Sequence, residues 1–186
     1  MGKKISIDSA TMMNKVFEVI EAKNIFNLDY KKLSILIHSK SYIHAIVKFN
    51  NGLTKILVHD TSMKIPIFNS LYLDQNKTLK SNNLDIKILN NLSLKSPDKK
   101  KFPVIKILKY LPRNTSLFET ILVTVNDFLV NKFLNKKIKF NDISKHLIKL
   151  INDKDYAKYK KKEPKNIKQI IQLSNFVSLK LDSKSI

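Results

Sequence analysis

The sequence predicts an α+β chain in which a helix and a small sheet with a hairpin precede a linker and a C-terminal helical bundle. Three observations carry this. Apolar residues recur at helical spacing between Ile7 and Ala22. Asn51-Gly52 stands between two apolar runs, a strong hairpin signal. From Phe102 onward the periodicity is helical and is broken by helix-start signals. The expected divisions are residues 1–71 for the helix and sheet, 72–101 for the linker and 102–186 for the bundle.

The first helix is expected to begin near Asp8 or Ser9, both good N-caps. Met12, Met13, Val16, Phe17, Val19 and Ile20 then share an apolar arc, opposite Thr11, Asn14, Lys15, Glu18 and Glu21. Ser34 to His38 reads as a buried strand. With Asn51-Gly52 as a two-residue turn, Val47 faces Ile56 and Ala45 faces Val58 on one side of the hairpin. Lys48 then opposes Lys55, and His44 opposes His59, on the other side. Two facing imidazoles are a possible metal pair, but no third ligand lies near them in sequence.

From Tyr72 to Pro97 the pattern thins into Asn, Lys, Ser and Asp, and the basic run Lys95 to Lys101 reads as a solvated loop. Pro103 opens a short segment through Leu111. Ser116 and Glu119 form a capping box for a helix from Leu117 to Leu134. Its buried stripe is Phe118, Ile121, Leu122, Val125, Phe128, Leu129 and Phe133. Asn141 or Asp142 caps a third helix through Ile151, and Pro164 precedes a fourth through Leu173. Short connections between these helices predict a bundle.

Composition bounds the function classes. At 186 residues and 43% apolar content the chain can bury a core. Thirty-five basic against 15 acidic residues leave a net charge of +20, which raises nucleic acid as a partner. Arg113 is the sole arginine, so the bidentate fork that reads bases or clamps phosphates is scarce, and non-specific nucleic-acid contact is the expectation. The absence of cysteine excludes disulfides and thiolate zinc sites. No apolar run reaches the roughly 18 residues of a membrane span, and the N-terminus has no apolar core of a signal peptide. Met1-Gly2-Lys3-Lys4-Ile5-Ser6 fits the short N-myristoylation pattern. Gly2 and Gly52 are the only glycines, which excludes a dinucleotide-binding fingerprint in the chain.

The candidate site lies on the first helix. A free helix N-terminus attracts anions, phosphate above all. Asn14, Lys15 and Glu18 emerge together downstream of it, since residues three and four apart are neighbours on a helix. An amide, an ammonium and a carboxylate there suit a phosphorylated substrate beside a divalent cation. The alternative is a polar helix face presented to water.

Ser6-Ile7-Asp8-Ser9-Ala10-Thr11-Met12-Met13-Asn14-Lys15, followed by Glu18 and Ile20-Glu21-Ala22, resembles the substrate-site signature of the 1-deoxy-D-xylulose 5-phosphate reductoisomerase family. The resemblance implies that Ser9, Asn14 and Lys15 bind the substrate phosphate. Glu18 would be one of three carboxylates holding Mg²⁺ or Mn²⁺. In such enzymes the metal polarises a carbonyl for rearrangement, and hydride from NADPH reduces the aldehyde formed. His38 and His44 match family histidines near the active site, and His44 is the catalytic candidate. The layout from Pro103 onward is similar to the family's C-terminal helical domain. There Leu122 to Asp127 resembles a Leu-Asn-Ala-Ala-Asn-Glu motif, of which Leu122 and Asn126 are kept, and no site role is assigned to it. The sequence departs from the family at Ser39-Lys40 and at His59 to Lys64, where proline and glycine positions are lost.

The resemblance covers the second half of a family member. The NADPH-binding Rossmann domain, two metal carboxylates and a substrate flap belong to the other half. It therefore implies a partial catalytic domain that is inactive alone. Its partners would be 1-deoxy-D-xylulose 5-phosphate and either a second copy or an N-terminal half. The location would be cytoplasmic or a plastid-like or apicoplast-like organelle. The competing expectation is a non-catalytic remnant, or a basic module that contacts nucleic acid or protein.

Overall fold

The computed structural model describes residues 2–72, 77–83 and 85–183. In chain order the elements are helices α1 (Lys3–Thr11) and α2 (Met13–Phe26), strands β1 (Ile37–His38), β2 (Ile43–Lys48) and β3 (Thr54–Val58), helices α3 (Lys64–Leu71) and α4 (Ile86–Asn90), and strand β4 (Leu94–Lys95). Helices α5 (Phe118–Leu134), α6 (Phe140–Ile151), α7 (Lys154–Ala157) and α8 (Ile167–Asp182) follow, with 3₁₀ segments at Tyr30–Lys32, Pro103–Lys109 and Lys158–Lys161. The α+β class is as the sequence predicts.

Contacts divide the chain into Met1–Ile35 with Pro97–Ile186, and Leu36–Ser96. This differs from the expected boundaries after residues 71 and 101. The reason is packing: α1 rests on α5, and α2 on the Pro103–Lys109 segment, so the N-terminal helices complete the core of the C-terminal ones. Met13 and Val16 join Val104, Ile107, Phe118, Ile121, Leu122, Val125, Leu129, Ile143, Leu147 and Val177 in one buried cluster. Phe128 and Phe133 only flank it.

The helix boundaries expose what each start signal does. Ser116 donates its N–H to Glu119 Oε2 at 3.1 Å and its hydroxyl to the same oxygen at 2.6 Å, one half of the expected capping box. Ser116 Oγ accepts from the N–H of Phe118 at 3.1 Å and not from that of Glu119, and the helix begins at Phe118. In α6 the expected caps are displaced. Asp142 sits inside the first turn and accepts from the N–H of Lys139 at 3.1 Å. Asn166 caps α8 by accepting from the N–H of Gln169 at 2.9 Å, and the helix runs to Asp182, beyond the expected end at Leu173.

In the Leu36–Ser96 unit, three expectations are corrected. Ser34 to His38 is not a buried strand: only Ile37–His38 is extended, paired antiparallel with Leu94–Lys95. That pairing also places a helix and a strand inside the expected linker, of which residues 73–76 and 84 lie outside the described part. The hairpin register is shifted as well. Val47 pairs with Lys55, Ile46 with Ile56 and Ala45 with Leu57. The turn is a three-residue loop closed by Phe49 N–H donating to Leu53 C=O at 2.8 Å, with Gly52 at φ +86°. A glycine in the left-handed region at the end of a three-residue loop adds one residue to the turn and moves every pair by one. Past an irregularity between Ile43 and Ala45 the shift grows to two residues, with Ile43 paired to Val58; His44 lies in that irregularity, and its ring stacks on that of His59.

Candidate functional site

The N-terminal helices differ from expectation in a way that builds the site. The helix does not start at Asp8 or Ser9. It starts at Lys3 and breaks at Met12, whose φ of 68° is left-handed. Thr11 organises the break. Its hydroxyl donates to Ile7 C=O at 3.0 Å and accepts from the N–H of Met13 at 3.4 Å. That role explains why Thr11 is buried rather than on the polar face. A second N-terminus therefore opens at Met13, and the first turn of any helix leaves N–H groups without partners in the helix.

Around this break the predicted residues come together in pairs. Asn14 Nδ2 donates to Ser9 Oγ at 2.8 Å, joining the end of α1 to the start of α2. Lys15 Nζ sits 2.7 Å and 3.0 Å from the two carboxylate oxygens of Glu18. Asn14 and Glu18 are one turn apart, so both pairs occupy one side of α2. Two hydrogen-bonding side chains, an ammonium and a helix N-terminus suit a phosphomonoester.

His44 belongs to the hairpin. Its ring stacks on that of His59 with centroids 3.5 Å apart and planes 4° from parallel, and its Nε2 lies 3.2 Å from His59 C=O. The facing imidazoles are thus packed ring on ring. Among the described residues no group of three or more His, Cys, Asp or Glu is placed to hold a metal ion. Glu18 supplies one oxygen ligand site, already engaged by Lys15. Ser9, Asn14 and Lys15 carry the donors that a phosphate takes; the described residues do not complete a cage for a hard cation, which takes about six oxygens.

Asp8 is the residue that sequence reasoning misplaced. It is 1% exposed. Its carboxylate accepts from Lys4 Nζ at 3.0 Å and from Asn126 Nδ2 at 2.8 Å. Lys4 also lies 3.0 Å from Asp127 Oδ1. Burial lowers the Lys4 pKa, but the hydrogen bonds and charges of Asp8 and Asp127 outweigh it, and the net shift is upward. Asn126 is fully buried on α5, whose buried residues are apolar apart from it and Thr124, and that amide is the signal that could have revealed the contact.

Two hollows of the helical unit lie elsewhere. One, of about 300 Å³, is bordered by Leu117, Tyr159, Lys162 and Phe176. The other, of about 440 Å³, lies between α5 and α8 beside Asp127, Asn131, Ser174 and Asp182. None of Ser9, Asn14, Lys15 or Glu18 lines either one. No helix of the described residues is long and apolar enough to cross a membrane.

Comparison with known proteins places this geometry. Residues 59–177 match the family model described as DXP reductoisomerase C-terminal domain. Residues 1–26 match that of the 1-deoxy-D-xylulose 5-phosphate reductoisomerase C-terminal domain. The 1-deoxy-D-xylulose 5-phosphate reductoisomerase of Pelagibacter ubique is 65% identical over 186 residues, which is all of this chain and 48% of that protein. The enzyme of the same name from a Sulfurihydrogenibium species is 40% identical over 158 residues, 85% of this chain and 42% of that one. Among solved structures, the Zymomonas mobilis reductoisomerase in complex with NADPH is similar with a TM-score of 0.82 and 28% identity, over 98% of this chain and 47% of that one. A DOX-P reductoisomerase in complex with NADPH, fosmidomycin and magnesium is similar with a TM-score of 0.85 and 31% identity, over 98% and 46%. The chain spans about half the length of the curated relatives it matches.

Proposed function

The chain belongs to the 1-deoxy-D-xylulose 5-phosphate reductoisomerase C-terminal domain family, and on that premise we propose that it supplies the substrate-phosphate site of such an enzyme, together with one carboxylate toward its metal. Supporting this is the Ser9–Asn14 hydrogen bond across the helix break, which holds two candidate phosphate donors beside the N-terminus of α2. Lys15 contributes the charge. A phosphomonoester carries nearly two negative charges near neutral pH and draws Lys15 from Glu18, leaving that carboxylate free to face a cation. A divalent ion would supply charge neutralisation at the substrate oxygens, and Glu18 is the carboxylate this chain would offer it. Hydride transfer needs a donor held against the substrate, a task that falls to the other half of the enzyme.

The Leu36–Ser96 unit supports the same reading. Tyr42 is its one buried hydrophobic side chain among the described residues, while Ile46, Val47, Ile56 and Leu57 stay exposed on both faces of the hairpin. A two-stranded hairpin is marginal alone and needs cover. The remaining half of the enzyme, with pairing of two copies, provides it in this reading.

Titration of the chain with 1-deoxy-D-xylulose 5-phosphate, followed by nuclear magnetic resonance, tests the assignment. Signals of Ser9, Asn14 and Lys15 are expected to move together, and those of the bundle to stay. Unmoved Lys15 and Asn14 signals at saturating ligand would sink it. The chain alone is expected to oxidise no NADPH with this substrate and Mg²⁺, and joining it to the N-terminal half of a relative is expected to restore turnover.

A further inference from the structure

We propose that Asn126 is a positioning residue for the phosphate site, acting from α5 through Asp8. This rests on the reading of Ser9, Asn14 and Lys15 given above. Asn126 touches none of the three. It donates Nδ2 to Asp8 Oδ1 at 2.8 Å, and Asp8 immediately precedes Ser9 on α1. Both partners are buried, and the bond joins residues 118 positions apart.

The geometry gives this one bond leverage. α1 and α2 meet at the left-handed Met12, where a bend bridged by the Thr11 hydroxyl replaces the continuous ladder of one helix. Ser9 Oγ meets Asn14 Nδ2 only if α1 enters that junction at one angle and one rotation about its axis. Rotation about α1 is set by where Asp8 points, because successive helix positions differ by about 100° and Asp8 and Ser9 turn together. Asp8 is held from two sides, by Lys4 of its own helix and by Asn126 of the bundle. Lys4 moves with α1, and its second contact, 3.0 Å from Asp127 Oδ1 of α5, is a half-exposed tie that can rearrange with the Lys4 side chain. Asn126 is the buried attachment. Its own carbonyl oxygen, Oδ1, has no hydrogen-bond partner, so the contribution of the side chain lies in the amide that faces Asp8.

Two substitutions separate positioning from stability. Asn126→Leu deletes the donor while keeping bulk. Asn126→Asp sets a second carboxylate against Asp8, with Lys4 and Asp127 as the neighbouring charges; while both acids are ionised they repel, and a proton taken up by either one on acidification restores a donor between them. In the phosphate-free 186-residue chain, the Ser9 amide and Asn14 side-chain signals are expected to shift in Asn126→Leu at any pH. In Asn126→Asp they are expected to shift near pH 7 and to return toward the parent at about pH 5. Leu147→Ala, a comparable loss of core packing on α6, is expected to leave them in place. Half-saturation by inorganic phosphate is expected to rise roughly ten-fold in Asn126→Leu, as for loss of an orientation that two donors share.

Parent-like Ser9 and Asn14 signals in Asn126→Asp at neutral pH would overturn the proposal, as would equal shifts in Leu147→Ala. A parent chain that shows no response to phosphate at Ser9, Asn14 and Lys15 would instead remove the site assignment, because the coupling of Asn126 to Ser9 is read from spectra recorded without phosphate.

Discussion

Asp8 and Asn126 lie 118 positions apart and meet at 2.8 Å, a buried carboxylate accepting from a buried amide. The relationship ties α1, which carries Ser9, to the middle of the helical bundle. Removing one partner of a buried polar pair strands the other. Asn126→Leu is therefore expected to cost about 1–3 kcal/mol of stability. Urea unfolding monitored by circular dichroism measures it, and a change within a few tenths of a kcal/mol would show that Asp8 finds another donor.

The end of α5 offers a stabilising substitution. Lys136 sits at φ 58°, and the N–H groups of Lys136 and Lys137 donate back to Phe133 and Lys132 carbonyls at 2.9 Å each. This is the Schellman arrangement, in which the left-handed position favours glycine. Lys136 is exposed, so nothing is lost from the core. Lys136→Gly is expected to raise the unfolding free energy by about 1 kcal/mol, read as a higher denaturant midpoint at unchanged slope.

Glu119 makes stability depend on pH. Burial pushes its carboxyl above the ordinary 4.5, outweighing the hydrogen bonds from Ser116 and the charge of Lys23. The folded chain thus holds this proton more tightly than the unfolded chain. The resulting stability is present below about 4.5 and is lost as pH rises through the folded value. At neutral pH the ionised side chain is a cost, and its Oε1 has no hydrogen-bond partner. Nearby Tyr30 is likewise unpartnered at its hydroxyl and is pushed up to about 12, by burial first and by the charge of Glu119 second. Glu119→Gln keeps an acceptor for Ser116 and adds an amide donor. The variant is expected to be more stable than its parent at pH 7 by less than about 1 kcal/mol, solvent screening included. Thermal melts across pH should show the advantage shrinking on acidification; a gain that persists at about pH 3 would contradict the assignment.

Lys15 and Glu18 compete with any anion that needs Lys15. Exposed pairs of this kind hold about 0.2–1 kcal/mol. Glu18→Gln is expected to free the ammonium and tighten inorganic phosphate by roughly two- to five-fold, an effect that fades with added salt. Calorimetric titration at two ionic strengths distinguishes this from weakened binding, which would mean that Glu18 orders Lys15 for the anion.

Much of this protein was legible because its signals are local. A capping box, an apolar stripe at 3.6-residue spacing and a ten-residue signature each operate within a few turns of chain, and α5 and the hairpin follow from such local signals. The errors fall where a distant partner outweighs local preference. Asp8 reads as an N-cap by residue type, but an amide 118 positions away claims its carboxylate and α1 begins five residues earlier, at Lys3. The hairpin register turned on whether Gly52 closed a two- or a three-residue loop, a choice made by strand pairing rather than by the dipeptide. By itself the sequence determined which side chains are available to grip a phosphate, because hydrogen-bonding and charge are properties of residue type. Only the tertiary structure decided how they are aimed, since the angle at Met12 is set by burial of Asp8 against Asn126, and burial is a property of the whole fold.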